Sequence, residues 1–189
     1  TDGTTSPYEV ARWRDSNFPD GTSVHTAIVT YFNKGLISVR AGTYSEYNMI
    51  IAVHTIYSMW AITYIRAAFK FLEISERSYS ESAHAEGYAY YMAIDGWVAS
   101  KSSSAAQTMR DALVITKTSI ASGTYCQAKA AMEAAYPALS IDCWMMGTLH
   151  DSSVTLISCS TPCSTPWAFL SAGAAAVSAV LGSASDETC

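Results

Sequence analysis

Past an irregular lead-in that closes in the turn Asn17, Phe18, Pro19, Asp20, Gly21, the residues Val24, Ala27, Ile28, Tyr31 and Phe32 recur at i, i+3, i+4, i+7 and i+8. That spacing is one face of a helix. Gly35 stands where a left-handed residue would end it, and Gly42 with Thr43 opens the next. From Met49 to Ile65 no residue carries a formal charge, and the run is apolar on nearly every face. Such a helix packs on several sides. The run is at the short limit for a bilayer and continues helically through Arg66, Lys70, Glu73 and Glu76, so a buried core helix is expected and no transmembrane segment.

Ser78 with Glu81 has capping-box spacing and introduces a third helix from Ala83 to Val98. Ser104 with Gln107 and Thr124 with Gln127 repeat the signal, and Pro137 closes the last of these segments. The expectation is an all-α, single-domain bundle of about five to six helices, with a core of Ile28, Ile51, Trp60, Tyr64, Phe69, Tyr91, Leu113 and Met132. Val154, Leu156 and Cys159 read as a short extended piece, and Trp167 to Leu181 as a small-residue apolar helix. The chain thus divides into a helical domain, 1–150, and a Cys/Ser/Thr-rich tail, 151–189.

Charge changes the picture of partners. The 189 residues carry 11 Lys and Arg against 16 Asp and Glu, a net −5, and half of all positions are apolar. A full core can be buried, and the signature of disorder is missing. No cluster of Lys and Arg supplies the positive field that nucleic acid requires, so that partner is excluded. A surface of Ser, Thr, Tyr and Ala rather than Lys and Glu reads as secreted, extracellular or periplasmic. The polar start from Thr1 to Pro7 fits a mature N-terminus left by cleavage. In an oxidising compartment four of the five cysteines pair: Cys126, Cys143, Cys159 and Cys163, with Cys126 to Cys143 as the expected bridge.

The common catalytic signatures, GxSxG, HExxH, the Walker loop, GxGxxG and CxxC, are missing, so no enzymatic activity is expected. Cys159 and Cys163 have His150 as their one nearby metal-ligand candidate, which favours a disulfide over zinc. The segment Glu81 to Tyr91 is the most informative. Glu81 and His84 share one helix face, Glu86 and Tyr90 another. Carboxylate and phenolate oxygens are hard donors suited to ferric iron, and imidazole accepts several transition metals. The plainer reading of the same residues makes Glu81 a cap, His84 a satisfied polar group, Gly87 a close-packing position and the tyrosines amphipathic core. Glu73 with Arg77 reads as an exposed ion pair.

Two stretches, His84-Ala85-Glu86-Gly87-Tyr88-Ala89-Tyr90-Tyr91-Met92-Ala93-Ile94 and Ile141-Asp142-Cys143-Trp144-Met145-Met146-Gly147-Thr148-Leu149, resemble landmark motifs of the algal iron-assimilating family. These are periplasmic proteins induced by low iron or high carbon dioxide, related to the phytotransferrins of diatoms. The resemblance covers roughly residues 20 to 150. It implies a secreted, mainly helical domain that captures ferric iron at the cell surface with carbonate as co-ligand, and it makes Glu86, with Glu81 and His84, the leading metal ligands. Trp144 and Met145 depart from the polar or acidic residues expected after Cys143.

Two functions follow. The first is a non-enzymatic iron-binding protein that works with a cell-surface receptor. The second is a self-assembling component of an extracellular layer or fibre, a homo-oligomer or filament built through Trp167 to Leu181.

Overall fold

The computed structural model describes residues 6–40 and 46–159. Cys163, Cys189, the helix expected over Trp167 to Leu181 and the start signal at Gly42 and Thr43 lie outside them. Every regular element among the described residues is helical, as expected. Helix α1 (Pro7–Asn17) occupies part of the stretch read as irregular. Ser6 accepts the Glu9 N–H, Pro7 sits in the first turn, and Glu9 complements the helix dipole there. Asp15 of α1 then starts α2 (Val24–Arg40), its carboxylate accepting the backbone N–H groups of Val24 and His25. Gly35 does not end α2. It lies within the helix facing Met49 and Ala52 of the next one, where an added Cβ would make ordinary contacts at 4.0 Å.

Helix α3 (Glu46–Arg77) is the central element, followed by α4 (Glu81–Met92), α5 (Asp95–Lys101), α6 (Ser103–Leu113), α7 (Thr124–Ala135), a 3₁₀ turn (Tyr136–Leu139) and α8 (Cys143–Met146). Eight α-helices and a 3₁₀ turn among the described residues replace the five to six expected. The helix expected from Ala83 to Val98 breaks at Ala93 and Ile94 without glycine or proline, which is why periodicity alone fused it. The caps also shift. Ser80 and Ser102, not Ser78 and Ser104, accept the capping N–H groups of Ala83 and Ala105. The start of α7 is capped by Glu76 of α3, whose carboxylate accepts from Gly123 and Tyr125. Residues 154–159 form no strand.

Ile28, Phe69, Tyr91, Leu113 and Met132 are buried, and Trp60 and Tyr64 pack partly buried against them. Ile51 is exposed instead, because the first half of α3 rises beyond the bundle. Among the described residues α3 is the one helix long and apolar enough to cross a membrane. Its second half is buried in the bundle at Ile62, Ile65, Ala68 and Leu72.

Arg66 of α3 joins three distant segments. Its Nε donates to the Met146 carbonyl at 2.9 Å, Nη1 to Asp15 at 2.8 Å, and Nη2 to the carbonyls of Thr22 and Met145. Burial pulls its pKa below the ordinary guanidinium value, while Asp15 opposes that pull. Gly21 must lack a side chain here, since a Cβ would lie 2.2 Å from Arg66 Nη2. Gly147, at φ 66°, lets the chain turn beside it.

The disulfide expectation is corrected: Cys126 bonds to Cys159, with 5.4 Å between their Cα atoms. Cys143 is disulfide-bonded as well, and not to Cys126. The segment after α8 runs back over α1 and α3, where His150 N–H meets the Asn17 carbonyl and Ile157 N–H meets Glu73. That return brings Cys159 to α7. Glu73 is therefore no part of an exposed pair: it bonds Arg77 but is 1% exposed.

Candidate functional site

Where α1 and α4 meet α3, two cations stand side by side with no ion-pair partner among the described residues. Arg14 of α1 is 6% exposed, and its Nε and Nη1 are buried with no hydrogen-bond partner. Its guanidinium carbon lies 5.5 Å from the centre of the Phe71 ring. Lys70 Nζ lies 6.0 Å from the same ring and donates to Asn17 Oδ1 at 3.2 Å. Neither cation forms an ion pair among the described residues. Phe71 stacks on Tyr90 of α4 at 5.8 Å, and Tyr90 reaches Tyr64 of α3 at 6.3 Å.

The electrostatics follow from this packing. Burial pulls Arg14 below the usual guanidinium range, against the opposing influence of Tyr90 and Glu86. Burial and then the neighbouring Arg14 charge pull Lys70 down, while Asp151 and Glu86 oppose. Burial raises Tyr64, and Tyr90 adds to the rise, so this phenol is protonated at neutral pH. A desolvated cation without a partner costs several kcal/mol on the order of a broken buried pair. An anion supplied from solution removes that cost.

The three expected metal ligands separate. Glu86 lies on the α4 face that carries Tyr90 and is exposed, within electrostatic reach of Arg14 and Lys70. His84 turns the other way into the core. Its Nε2 donates to the Val114 carbonyl at 3.0 Å, its ring lies 5.7 Å from Tyr79, and its buried Nδ1 has no partner. Glu81 is exposed in the first turn of α4. The spacing explains this: residues 84 and 86 lie on opposite sides of one helix. Among the described residues no group of three His, Cys, Asp or Glu side chains is gathered in metal-binding geometry.

No protein-family model, curated protein or solved structure matches the chain. The site therefore has to be read from its own chemistry.

That chemistry distinguishes it from a cleft of about 700 Å³ under the returning segment, lined by Phe18, Tyr125, Lys129, Glu133, Trp144 and Ile157. There Lys129 is already paired with Glu133. Sequence reasoning missed Arg14, Lys70 and Tyr64 as site residues. Ser6, Pro7 and Glu9 were the available signal for α1, with serine at the cap, proline in the first turn and glutamate three residues after the serine. Nothing local announces that α1 then docks Arg14 over Phe71.

Proposed function

We propose that the protein is a secreted, non-enzymatic carrier that captures ferric iron at the cell surface together with a small anion. In this reading Glu86, Tyr90 and Tyr64 are the oxygen donors to the iron, and Arg14 and Lys70 hold the anion, carbonate being the one the family resemblance implies. The supporting observation is the buried Arg14 guanidinium, with two unpartnered nitrogens beside Phe71 and Tyr90 and within reach of the Glu86 charge. A bare ferric ion beside two cations is repelled. An anion between them replaces that repulsion with attraction on both sides, so metal and anion bind together. Glu81 and His84 stand outside this donor set.

The test is a ferric titration of the purified chain with and without bicarbonate, followed by desalting and elemental analysis. Near-stoichiometric, bicarbonate-dependent retention is expected, lost in Glu86→Gln and in Arg14→Met. Retention that ignores bicarbonate, or that survives both substitutions, would falsify the assignment. Because the Tyr64 phenol must lose its proton to solvent for its oxygen to bind the metal, retention should fall as the pH falls. Self-assembly is the second reading. Trp167 to Leu181 lies outside the described residues, and what favours assembly is a row of exposed apolar side chains between Val29 and Tyr57.

A further inference from the structure

Beyond the bundle α2 and α3 continue as an antiparallel hairpin. On α2 no residue after Ile28 is buried, and on α3 from Asn48 to Ser58 only Ala52 and Ile56 are buried. These residues, with Gly35 against Met49 and Ala52, form the seam between the two helices. A different set is bare. Val29, Phe32, Leu36 and Val39 on α2, and Ile50, Val53 and Tyr57 on α3, are each between 41% and 58% exposed.

Their spacing alternates three and four residues, the period of a helix-packing stripe. At about 100° per residue, each stripe lies roughly a quarter-turn from the seam in the direction of its own chain. Because the helices run antiparallel, both stripes fall on the same side of the hairpin. That side is uncharged along the stripes, whereas the opposite side mixes Ile37 and Ile51 with Lys34, Ser38, Asn48 and Thr55. The α3 stripe also continues downward in register: Ile50, Tyr57, Tyr64 and Phe71 are seven apart. Tyr64 and Phe71 are covered by Tyr90 of α4. Ile50 and Tyr57 are not, since α4 ends at Met92.

We propose that a second copy of this chain supplies the missing cover, two hairpins packing stripe to stripe as a four-helix bundle in a closed, two-fold dimer. Seven large side chains from each copy bring the buried surface to the order of 1,200 Å², within the range of a specific dimer. A bilayer fits less well. Arg40 closes α2 and Glu46 opens α3, so the deepest point of an inserted hairpin would carry formal charges, and a lateral partner leaves them in water. The proposal does not depend on iron.

The test is analytical ultracentrifugation of the full chain from low micromolar to several hundred micromolar. A reversible doubling of mass is expected, abolished in Leu36→Glu/Val53→Glu and retained in Ile37→Lys on the opposite side. Should the double glutamate variant lose its helical circular dichroism, Leu36→Ala/Val53→Ala serves instead, with dimer dissociation raised at least tenfold. A chain that stays monomeric throughout overturns the proposal, as does growth past the dimer into filaments. So does a dimer indifferent to the stripe variants. A monomer that co-sediments with phosphatidylcholine/phosphatidylserine vesicles through Leu36 and Val53 would assign the face to lipid, and a monomer whose stripe is protected from hydrogen exchange until residues 160–189 are removed would assign it to the chain's own tail.

Discussion

Arg66 and Arg14 are both buried guanidinium groups set over a phenylalanine ring, and they differ in how their hydrogen-bond donors are met. Arg66 sends its donors to Asp15 and to the carbonyls of Thr22, Met145 and Met146, with the Phe18 ring 5.2 Å away. Arg14 rests on Phe71 with two nitrogens idle. Burial weakens the charged form in both, so burial by itself says nothing about purpose. The number of satisfied donors does: one arginine holds segments of the chain together, and the other presents an unmet demand for negative charge.

The comparison breaks most visibly by substitution. Arg66→Met leaves the Asp15 carboxylate without its buried partner, and an unfolding free energy lower by about 3 to 5 kcal/mol is expected from urea denaturation. Arg14→Met breaks no hydrogen bond and removes an unpaired desolvated charge. Its stability in the same assay should be unchanged or higher by about 1 kcal/mol, while bicarbonate-dependent iron retention falls at least tenfold. Equal destabilisation by the two would end the distinction.

A smaller effect comes from the α3–α4 contact that carries Tyr90 to Phe71. A Cβ at Gly87 would meet Leu113 Cδ2 and Phe71 Cβ, both at 3.1 Å. Overpacking there should outweigh the gain in helix propensity, so Gly87→Ala is expected to lose about 1 kcal/mol in a thermal melt. The smallest effect lies near Arg66. Burial works to raise the Asp20 pKa, but hydrogen bonds from Thr148, with the Arg66 charge adding, hold it below the ordinary carboxylate value. A depressed folded pKa contributes stability above the unfolded value and loses it as pH falls from about 4 downward. Asp20→Asn should flatten that acid limb slightly in denaturation midpoints taken across the range.

What the sequence made legible follows the same divide between local and remote causes. The face formed by Val24, Ile28 and their neighbours, and the uncharged run into Ile65, read correctly as helix because amphipathic periodicity is local. Gly35 misled because a glycine inside a helix looks the same in sequence as one that ends it. Ile51 misled because an apolar residue on an unpartnered stretch of helix follows the pattern of a core residue. Cys126 could not be assigned to Cys159 from spacing, since the segment that returns over α3 decides it. Glu86 entered the candidate site through its motif alone. Arg14, 72 residues earlier in the numbering, did not, since its burial comes from docking alone.

The wiring of Arg66 also sets an order of events during synthesis. Its partners lie 51 residues before it, at Asp15, and 80 residues after it, at Met146. A nascent chain that has emerged only as far as α7 holds a guanidinium that cannot yet be buried without loss, so the final core stays open until α8 is out. Closure of the core is therefore a late event, completed only when most of the chain has been made.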